Sequence, residues 1–143
     1  MKVNVCKLDP KAILPTYGSA EAAGADLYIL ADTLVKAGET VLAHTGISME
    51  IPNGYVGLVF ARSGLAAKRD LAPANKVGVI DSDYRGEIMV ALHNHGAINR
   101  EISAGERIAQ IVLVPYLTAE FTETDALSDT DRGAGGFGST GTK

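Results

Sequence analysis

Short apolar runs rich in Val and Ile alternate with islands of Gly, Pro, Asn and Asp along almost the whole chain. Apolar runs of this length, bounded by turn residues, are typical of β-strands. Many short strands separated by close turns indicate an all-β fold, and we expect a jelly-roll-like β-barrel or sandwich. The pattern predicts strands at residues 2–8, 25–30, 39–51, 54–61, 77–80, 86–93 and 107–120.

Local signals add one hairpin and one helix to this β pattern. The dipeptide Asn53-Gly54 stands between two β-rich runs and favours a tight hairpin there. Residues 63–69 (SGLAAKR) combine helix-favouring Leu and Ala with a leading Ser63, which we expect to cap a helix of about two turns. The alternation in KVNVCKL predicts that Cys6 is a small buried hydrophobic residue.

The last fifteen residues differ from the rest in composition. From residue 129 onward five of fifteen residues are Gly, and Phe137 has the one large apolar side chain. Such a segment buries too little surface to offset its ordering entropy. We therefore expect a β domain over residues 1–128 and a flexible arm over 129–143. Fully extended, the arm would span roughly 50 Å, enough to reach a neighbouring subunit.

Bulk properties narrow the function classes. A chain of 143 residues is long enough for one domain with a substantial core. The net charge of −4 argues against a general nucleic-acid-binding protein, and the single cysteine excludes a disulfide framework. Neither a signal pattern nor a membrane-spanning apolar run occurs. We expect a cytoplasmic protein without a membrane partner; an organellar form after transit-peptide removal stays open.

The most informative stretch for chemistry is GVIDSDYRGE, residues 78–87. An apolar run leads Asp81 and Asp83 into a turn, and a second apolar run follows shortly after it. This pattern predicts two paired β-arms joined by a tight turn, with Asp81 at the end of a strand. A carboxylate fixed there can act as a general base, although a solvated hairpin explains the same residue types.

GVIDSDYRGE and four other polar, glycine-containing segments resemble the trimeric dUTPase family in order and spacing, over most of the chain from about residue 14. The resemblance implies hydrolysis of dUTP to dUMP and pyrophosphate by water attack on the α-phosphorus. That reaction limits uracil incorporation into DNA and supplies dUMP for thymidylate synthesis. The other four segments are AGADL (23–27), ARSGLAAK (61–68), GERIAQ (105–110) and RGAGGFGSTG (132–141).

The resemblance also implies roles for individual residues. Asp81 would be the catalytic base, and Tyr84 would pack against the sugar so that no 2′-hydroxyl fits. Asn75 would read uracil, and Phe137 of the arm would stack on it. The complete set of expected substrate-binding residues is Arg62, Ser63, Gly64, Asn75, Gly78, Tyr84, Gln110, Arg132, Phe137, Gly138, Ser139 and Thr140.

By the same resemblance the protein would be a homotrimer with three shared sites. One chain would give Asp26, Ser63 and Gln110, a second Asp81 and Tyr84, and a third the arm. Mg²⁺ would be held by the triphosphate and by water rather than by direct protein ligands, with Asp26 acting on it through water.

Three alternatives remain at this point. A dCTP deaminase shares the fold, although DSDYRGE and the glycine arm resemble the hydrolase more closely. A trimeric jelly roll without catalytic activity is the second, and a nucleotide hydrolase of broad specificity is the third. Turnover of dUTP, dCTP, dTTP and UTP distinguishes them.

Overall fold

The computed structural model describes residues 1–136 of the chain. Within that range it contains twelve β-strands and one α-helix, and the predicted all-β, jelly-roll-like fold is confirmed. The elements are β1 (Asn4–Lys7), β2 (Thr16–Tyr17), β3 (Ala25–Tyr28), β4 (Thr33–Val35), β5 (Thr40–His44), β6 (Ile47–Glu50), β7 (Tyr55–Phe60), α1 (Ser63–Arg69), β8 (Leu71–Pro73), β9 (Gly78–Ile80), β10 (Met89–Asn94), β11 (Arg100–Ile102) and β12 (Arg107–Pro115).

The strands form four antiparallel groups over the described residues. The largest is a five-stranded sheet in the order β2-β3-β12-β7-β9. A second sheet has the order β5-β10-β8, and β1-β6 and β4-β11 form two-stranded pairs. The nine-residue β12 is paired with both β3 and β7, so it is the central strand of the largest sheet.

Aliphatic side chains fill the core. Strand β12 is an example. Its residues Ile108, Ala109 and Ile111 are at most 3% exposed, whereas Gln110 between them is partly exposed. Branched side chains pack well on a pleated surface that is half buried, which explains the richness of the strands in Ile and Val. The largest fully buried apolar side chains are Leu27, Val35, Ile47, Ile51, Leu71, Ile88, Val90, Leu92, Ile102 and Ile108.

Several strand boundaries differ from the prediction. The strand expected over 39–51 is divided into β5 and β6 because the chain bends at Gly46, whose φ is +69°. Strands β2, β4, β8 and β11 have only two or three residues each, and their apolar patterns were too short to predict strands.

The hairpin predicted at Asn53-Gly54 is wrong. A turn is present, since the Tyr55 N–H donates to the Pro52 carbonyl at 3.1 Å. However, β6 pairs with β1 while β7 pairs with β12 and β9, so the turn leads from one group of strands to another. Only Gly54 of the two central residues has a positive φ (+83°), whereas the type I′ hairpin turn requires both.

The two β-arms predicted around Asp81 are not paired with each other. Strand β9 lies in the five-stranded sheet next to β7, and β10 lies in the three-stranded sheet between β5 and β8. The turn after β9 keeps a single backbone hydrogen bond, from Tyr84 N–H to the Asp81 carbonyl at 3.2 Å. The two arms therefore diverge, which leaves space between them.

The helix was predicted with the right bounds but the wrong cap. Ser63 is its first residue, and Arg62 is the N-cap, with extended φ and ψ of −90° and 127° and no side-chain capping bond. The predicted burial of Cys6 is also wrong, because the alternation of β1 turns Val3 and Val5 toward the core and leaves Cys6 exposed.

Gly57 in β7 is a position where the core tolerates no side chain. A Cβ built there would lie 2.8 Å from Ile51 Cδ1 and 2.9 Å from Ile111 Cδ1. We expect Gly57→Ala to lower the free energy of unfolding by about 1–3 kcal/mol through overpacking, measured by urea denaturation. Gly18→Ala is the matched control, since no atom lies within 4 Å of its Cβ position. Equal stability of the two variants would contradict this account.

Candidate active site

The space between β9 and β10 is a cavity of about 230 Å³, which we call the Asp81 cavity. Asp81 directly follows β9 and lies at the rim of this cavity. Tyr84 from the turn and Asn75 from the loop before β9 also line the cavity. Its apolar walls come from the two sheets whose divergence opens it. The lining residues are Leu42, Asn75, Val79, Ile80, Asp81, Tyr84, Glu87, Met89 and Ala91.

Gly78 is the first residue of β9 and lies next to Asn75. A Cβ there would lie 3.2 Å from Val59 Cβ and 3.5 Å from Asn75 Nδ2. The contact with Val59 is tighter than a Cβ normally makes, so glycine lets β9 lie close to β7 at this point, whereas the distance to Asn75 is an ordinary contact. The structure thus brings three of the predicted residues, Asn75, Asp81 and Tyr84, to one cavity, and a fourth, Gly78, lies beside Asn75.

A second cavity of about 230 Å³, the Asp26 cavity, lies between α1 and the strands β3 and β12. Its lining shares no residue with the Asp81 cavity. It contains four predicted residues and the carboxylate of Asp26. The lining residues are Gly18, Ala22, Gly24, Asp26, Arg62, Ser63, Gly64, Arg107 and Gln110.

Asp26 holds two arginines in this second cavity. Its Oδ1 lies 2.7 Å from Arg62 Nε, and its Oδ2 lies 3.2 Å from Arg107 Nη1. The residue is 7% exposed, and a carboxylate buried to this degree requires such partners. Two guanidinium groups against one carboxylate leave a net positive charge, which suits an anionic ligand.

Gln110 projects into the Asp26 cavity from β12. Its Nε2 donates to the Ala61 carbonyl at 2.9 Å, so the side-chain amide already has one partner. A Cβ on Gly24 would lie 3.1 Å from Gln110 Cδ and closer still to Oε1. Gly24 therefore makes room for this side chain, and the amide is held in a fixed position.

Arg107 also lines the cavity, although it was not among the expected substrate-binding residues. It lies inside the segment GERIAQ, and the signal that could have found it was its place three residues before Gln110. Arg107 begins β12, where its Cα is opposite Tyr28 at the end of β3, while Gln110 is opposite Asp26. The pairing of β3 with β12 therefore brings Arg107 within reach of Asp26.

The predicted arm residues are not brought to either cavity by the chain as described. Arg132 is exposed, and its Nε donates to the Gly135 carbonyl at 2.8 Å within a local turn. It lines neither the Asp81 nor the Asp26 cavity. The other expected arm contacts, Phe137, Gly138, Ser139 and Thr140, lie outside the described residues.

The strand register sets the distance between the two cavities. Ile80 in β9 is opposite Gly57 in β7, and Asp81 comes one residue later. Arg62 lies on the opposite side of Gly57. It comes five residues after Gly57 in the chain, just beyond the end of β7. At about 3.3 Å per residue, Asp81 and Arg62 of one chain are separated by roughly 20 Å.

The described part of the chain has neither a group of metal-binding side chains nor a membrane-spanning helix. Among residues 1–136, no three His, Cys, Asp or Glu side chains are grouped so that they could hold a metal ion. No helix in the same range is long and apolar enough to cross a membrane.

Comparisons with known proteins identify the family. The family model described as dUTPase matches residues 10–141. The chain belongs to the dUTPase family. Deoxyuridine 5'-triphosphate nucleotidohydrolase of Nautilia profundicola is 50% identical to this dUTPase-family chain over 141 residues, 99% of each chain. The protein of the same name from a Hydrogenobaculum species is 48% identical, with both chains covered completely.

Solved structures agree with this family assignment. A Staphylococcus bacteriophage 80alpha dUTPase with dUPNHPP superposes with a TM-score of 0.92 at 28% identity and covers 99% of both chains. A mutant dUTPase from phage phi11 of S. aureus, described with a structural Mg(II) ion, has a TM-score of 0.82 at 25% identity. It covers 88% of this chain and 98% of its own.

Glu106, next to Arg107, carries a second fixed charge near the Asp26 cavity. The Ser103 N–H donates to Glu106 Oε1 at 2.7 Å, and Arg69 Nη1 lies 2.7 Å from Oε2. The Ser103 hydrogen bond is the largest influence and lowers the pKa of the Glu106 carboxyl; burial opposes it, and Arg69 adds to the lowering. The net effect is a pKa below the ordinary 4.5.

We expect Glu106→Gln to destabilise the protein at pH 7 and to do so less as the pH falls. A carboxyl whose folded-state pKa is lowered contributes stability above its unfolded pKa and loses it as the pH falls through the folded value. The difference in free energy of unfolding between wild type and variant should therefore shrink below about pH 4.5. Urea titrations from pH 3 to 7 measure it, and exposed Glu120→Gln is the control. A difference independent of pH would contradict the charge-based explanation.

Proposed function

We propose that this protein hydrolyses dUTP to dUMP and pyrophosphate, which limits uracil incorporation into DNA and supplies dUMP for thymidylate synthesis. The observation that carries the proposal is the grouping of Asn75, Asp81 and Tyr84 around one cavity in a chain of the dUTPase family. Relatives up to 50% identical along their whole length have the name deoxyuridine 5'-triphosphate nucleotidohydrolase. A related phage enzyme has been solved with dUPNHPP.

The deoxyuridine half of the substrate fits the Asp81 cavity. Asn75 and backbone groups of the diverging arms would pair with the edge of uracil, and Tyr84 would lie against the sugar. Cytosine presents a donor where uracil presents an acceptor, which leaves buried groups unpaired. Such mismatches discriminate by about 10⁴–10⁵. The methyl group of thymine and a 2′-hydroxyl would be excluded by lack of space.

The triphosphate fits the Asp26 cavity of another chain. Arg62 and Arg107, both held by Asp26, would face the phosphate oxygens together with Ser63 and the amide of Gly64. Donors held in place before the reaction stabilise the developing charge without a cost of reorganisation. Gln110 would contribute the remaining Nε2 hydrogen, since one is used on Ala61.

Asp81 would orient and deprotonate the water that attacks the α-phosphorus. Its position at the end of β9 leaves the side chain exposed at the rim of the cavity, where a water molecule can reach it. General-base assistance of this kind contributes about 10²–10⁴ in rate. Pyrophosphate leaves as the bond between the α-phosphorus and the bridging oxygen breaks.

Mg²⁺ fits this site as an ion held by the substrate. Asp26, the carboxylate in the cavity, has an arginine on each oxygen, so it is suited to contact through water rather than to direct ligation. Mg²⁺ bound to the triphosphate and water would neutralise phosphate charge, consistent with its preference for oxygen ligands and retained water. The related phage phi11 enzyme has a structural Mg(II) ion.

Each active site would be shared between chains of a homotrimer. The separation of roughly 20 Å between Asp81 and Arg62 within one chain is too large for one triphosphate group to bridge. One chain would therefore give Asp26, Arg62, Ser63 and Gln110, and a second would give Asp81 and Tyr84. Exposed apolar side chains after β12 support association, with Leu117, Phe121 and Leu127 between 87% and 98% exposed.

The third contribution to each site would be the arm, residues 129–143, which follows the β domain of residues 1–128. Arg132, Ser139 and Thr140 would bind the terminal phosphate, with Gly138 allowing close approach, and Phe137 would cover uracil. Residues 115–134 are exposed in the described chain, which is consistent with a segment that packs on another subunit.

The chemistry is tested by pyrophosphate release from dUTP, dCTP, dTTP and UTP. We expect rapid turnover of dUTP alone and a fall in kcat of about 10²–10⁴ for Asp81→Asn, because an amide cannot accept the proton. Asp83→Asn is the matched control: the same substitution in the same turn, at a side chain that lines a different cavity. A fully active Asp81→Asn would refute the general-base role, and ammonia release from dCTP would indicate a deaminase.

Sharing of the site is tested by complementation. Asp81→Asn and Arg62→Gln should each be nearly inactive alone. In randomly mixed trimers, about a quarter of the sites would combine an intact Asp81 from one chain with an intact Arg62 from another. We expect co-expression to restore roughly that fraction of activity. No restoration, or sedimentation as an active monomer, would refute shared sites.

A further inference from the structure

The carboxylate of Glu87 connects the end of the turn that carries Asp81 and Tyr84 to His44 and Gly46. Glu87 Oε1 accepts the Gly46 N–H at 2.8 Å, and Glu87 Oε2 lies 2.8 Å from His44 Nδ1. His44 is the last residue of β5, and Gly46 lies in the bend between β5 and β6. The Glu87 side chain is 22% exposed, whereas that of His44 is 58% exposed, so the contact with Gly46 is the more protected of the two.

The backbone next to Glu87 is held to the same bend. The buried Thr45 hydroxyl donates to the Ile88 carbonyl, and the Ile88 N–H donates to the Ile47 carbonyl at 2.9 Å. The side chain of Glu87 therefore completes a set of contacts that ties the end of the turn to the β5–β6 bend.

Tyr84 is hydrogen-bonded to the backbone of Glu87. Its hydroxyl donates to the backbone carbonyl of Glu87 at 3.0 Å, which anchors the far end of the ring. Gly86 makes this placement possible, because a Cβ there would collide with the Tyr84 hydroxyl and lie 2.6 Å from Cζ. The position of the Tyr84 ring therefore depends on the backbone at residues 86 and 87.

The contacts of Glu87 favour its negatively charged form. Burial acts to raise the pKa of the Glu87 carboxyl, but the hydrogen bonds to His44 and to the Gly46 and Thr45 amides outweigh it, so the pKa is lowered. The ionised form is thus favoured, and its hydrogen bonds are of the stronger, charge-assisted kind.

We propose that Glu87 is a positioning residue that sets the selectivity for the deoxyribose sugar. Although its side chain also lines the cavity, its part in selectivity would be indirect. Its carboxylate would hold the Glu87 carbonyl in place, and this carbonyl would hold the Tyr84 ring where a 2′-hydroxyl cannot fit. The inference rests on the proposed function of the Asp81 cavity and extends it to the origin of sugar discrimination.

The test is the ratio of kcat/KM for dUTP to that for UTP. We expect Glu87→Ala to lower the ratio about tenfold or more, because the ring is no longer fixed. Glu87→Gln should keep most of the ratio, since its carbonyl can accept from Gly46 and its amide can donate to the other tautomer of His44. Gly86→Ala should lower the ratio by displacing the ring while leaving the carboxylate intact.

A double-mutant cycle separates positioning from general destabilisation. Tyr84→Phe removes only the hydroxyl that reaches the Glu87 carbonyl, so Tyr84→Phe combined with Glu87→Ala should affect the ratio no more than Glu87→Ala alone. Asp32→Ala is the control, because Asp32 likewise accepts a backbone N–H from a distant loop, Ala104 at 2.8 Å, away from both cavities. It should leave the ratio unchanged. All assays are run well below the melting temperature of each variant.

The possible outcomes bear on different claims. An unchanged dUTP to UTP ratio in Glu87→Ala, or additive effects in the double mutant, would overturn the positioning role while leaving the proposed function intact. A wild-type protein that releases no pyrophosphate from dUTP would overturn the proposed function and this inference with it. A lower dUTP to UTP ratio in Glu87→Ala, together with a nearly wild-type ratio in Glu87→Gln, would support both the proposed function and the positioning role.

Discussion

The pairing of β7 with β9 and β12 is the constraint on which both halves of the site depend. Through β12, this strand is joined to β3, so that Gln110, opposite Phe60, also lies opposite Asp26. Through β9, it places Asp81 at the other end of the same sheet. Because the register of an antiparallel sheet fixes every residue along it, the two groups cannot approach each other without unpairing the strands. The proposed site uses both groups and would therefore be completed by a second chain.

The Asp26 cavity also shows how a stability requirement and a binding requirement can share one group of residues. A buried carboxylate is unfavourable without partners, and Arg62 and Arg107 provide them. Two cations next to one anion are in turn unfavourable until a second anion binds. The fold therefore holds the arginines in place without a ligand, and under the proposed function the triphosphate would complete the charge balance.

Much of the chemistry was readable from local sequence, and its arrangement was not. The segments around Asp26, Arg62, Asp81 and Gln110 were found because these polar, glycine-containing segments resemble those of the dUTPase family in order and spacing. Arg107 and Glu87 were missed as site residues since their roles depend on partners in distant strands: Asp26 is 81 residues from Arg107, and His44 is 43 residues from Glu87. The hairpin predicted at residues 53–54 failed for a related reason. A local dipeptide signals a turn, but the strands that leave the turn pair with whichever neighbours bury their apolar faces.

The sequence by itself determined the β-rich fold class, the bounds of the short helix and the types of residue available for chemistry, because these follow from composition and from periodicity over a few residues. Only the tertiary structure decided that the arms around Asp81 separate into two sheets, that Asp26 joins two arginines, and that Cys6 faces outward. Strand partners and registers are set by packing between segments far apart in the chain, and no short window of sequence contains that information.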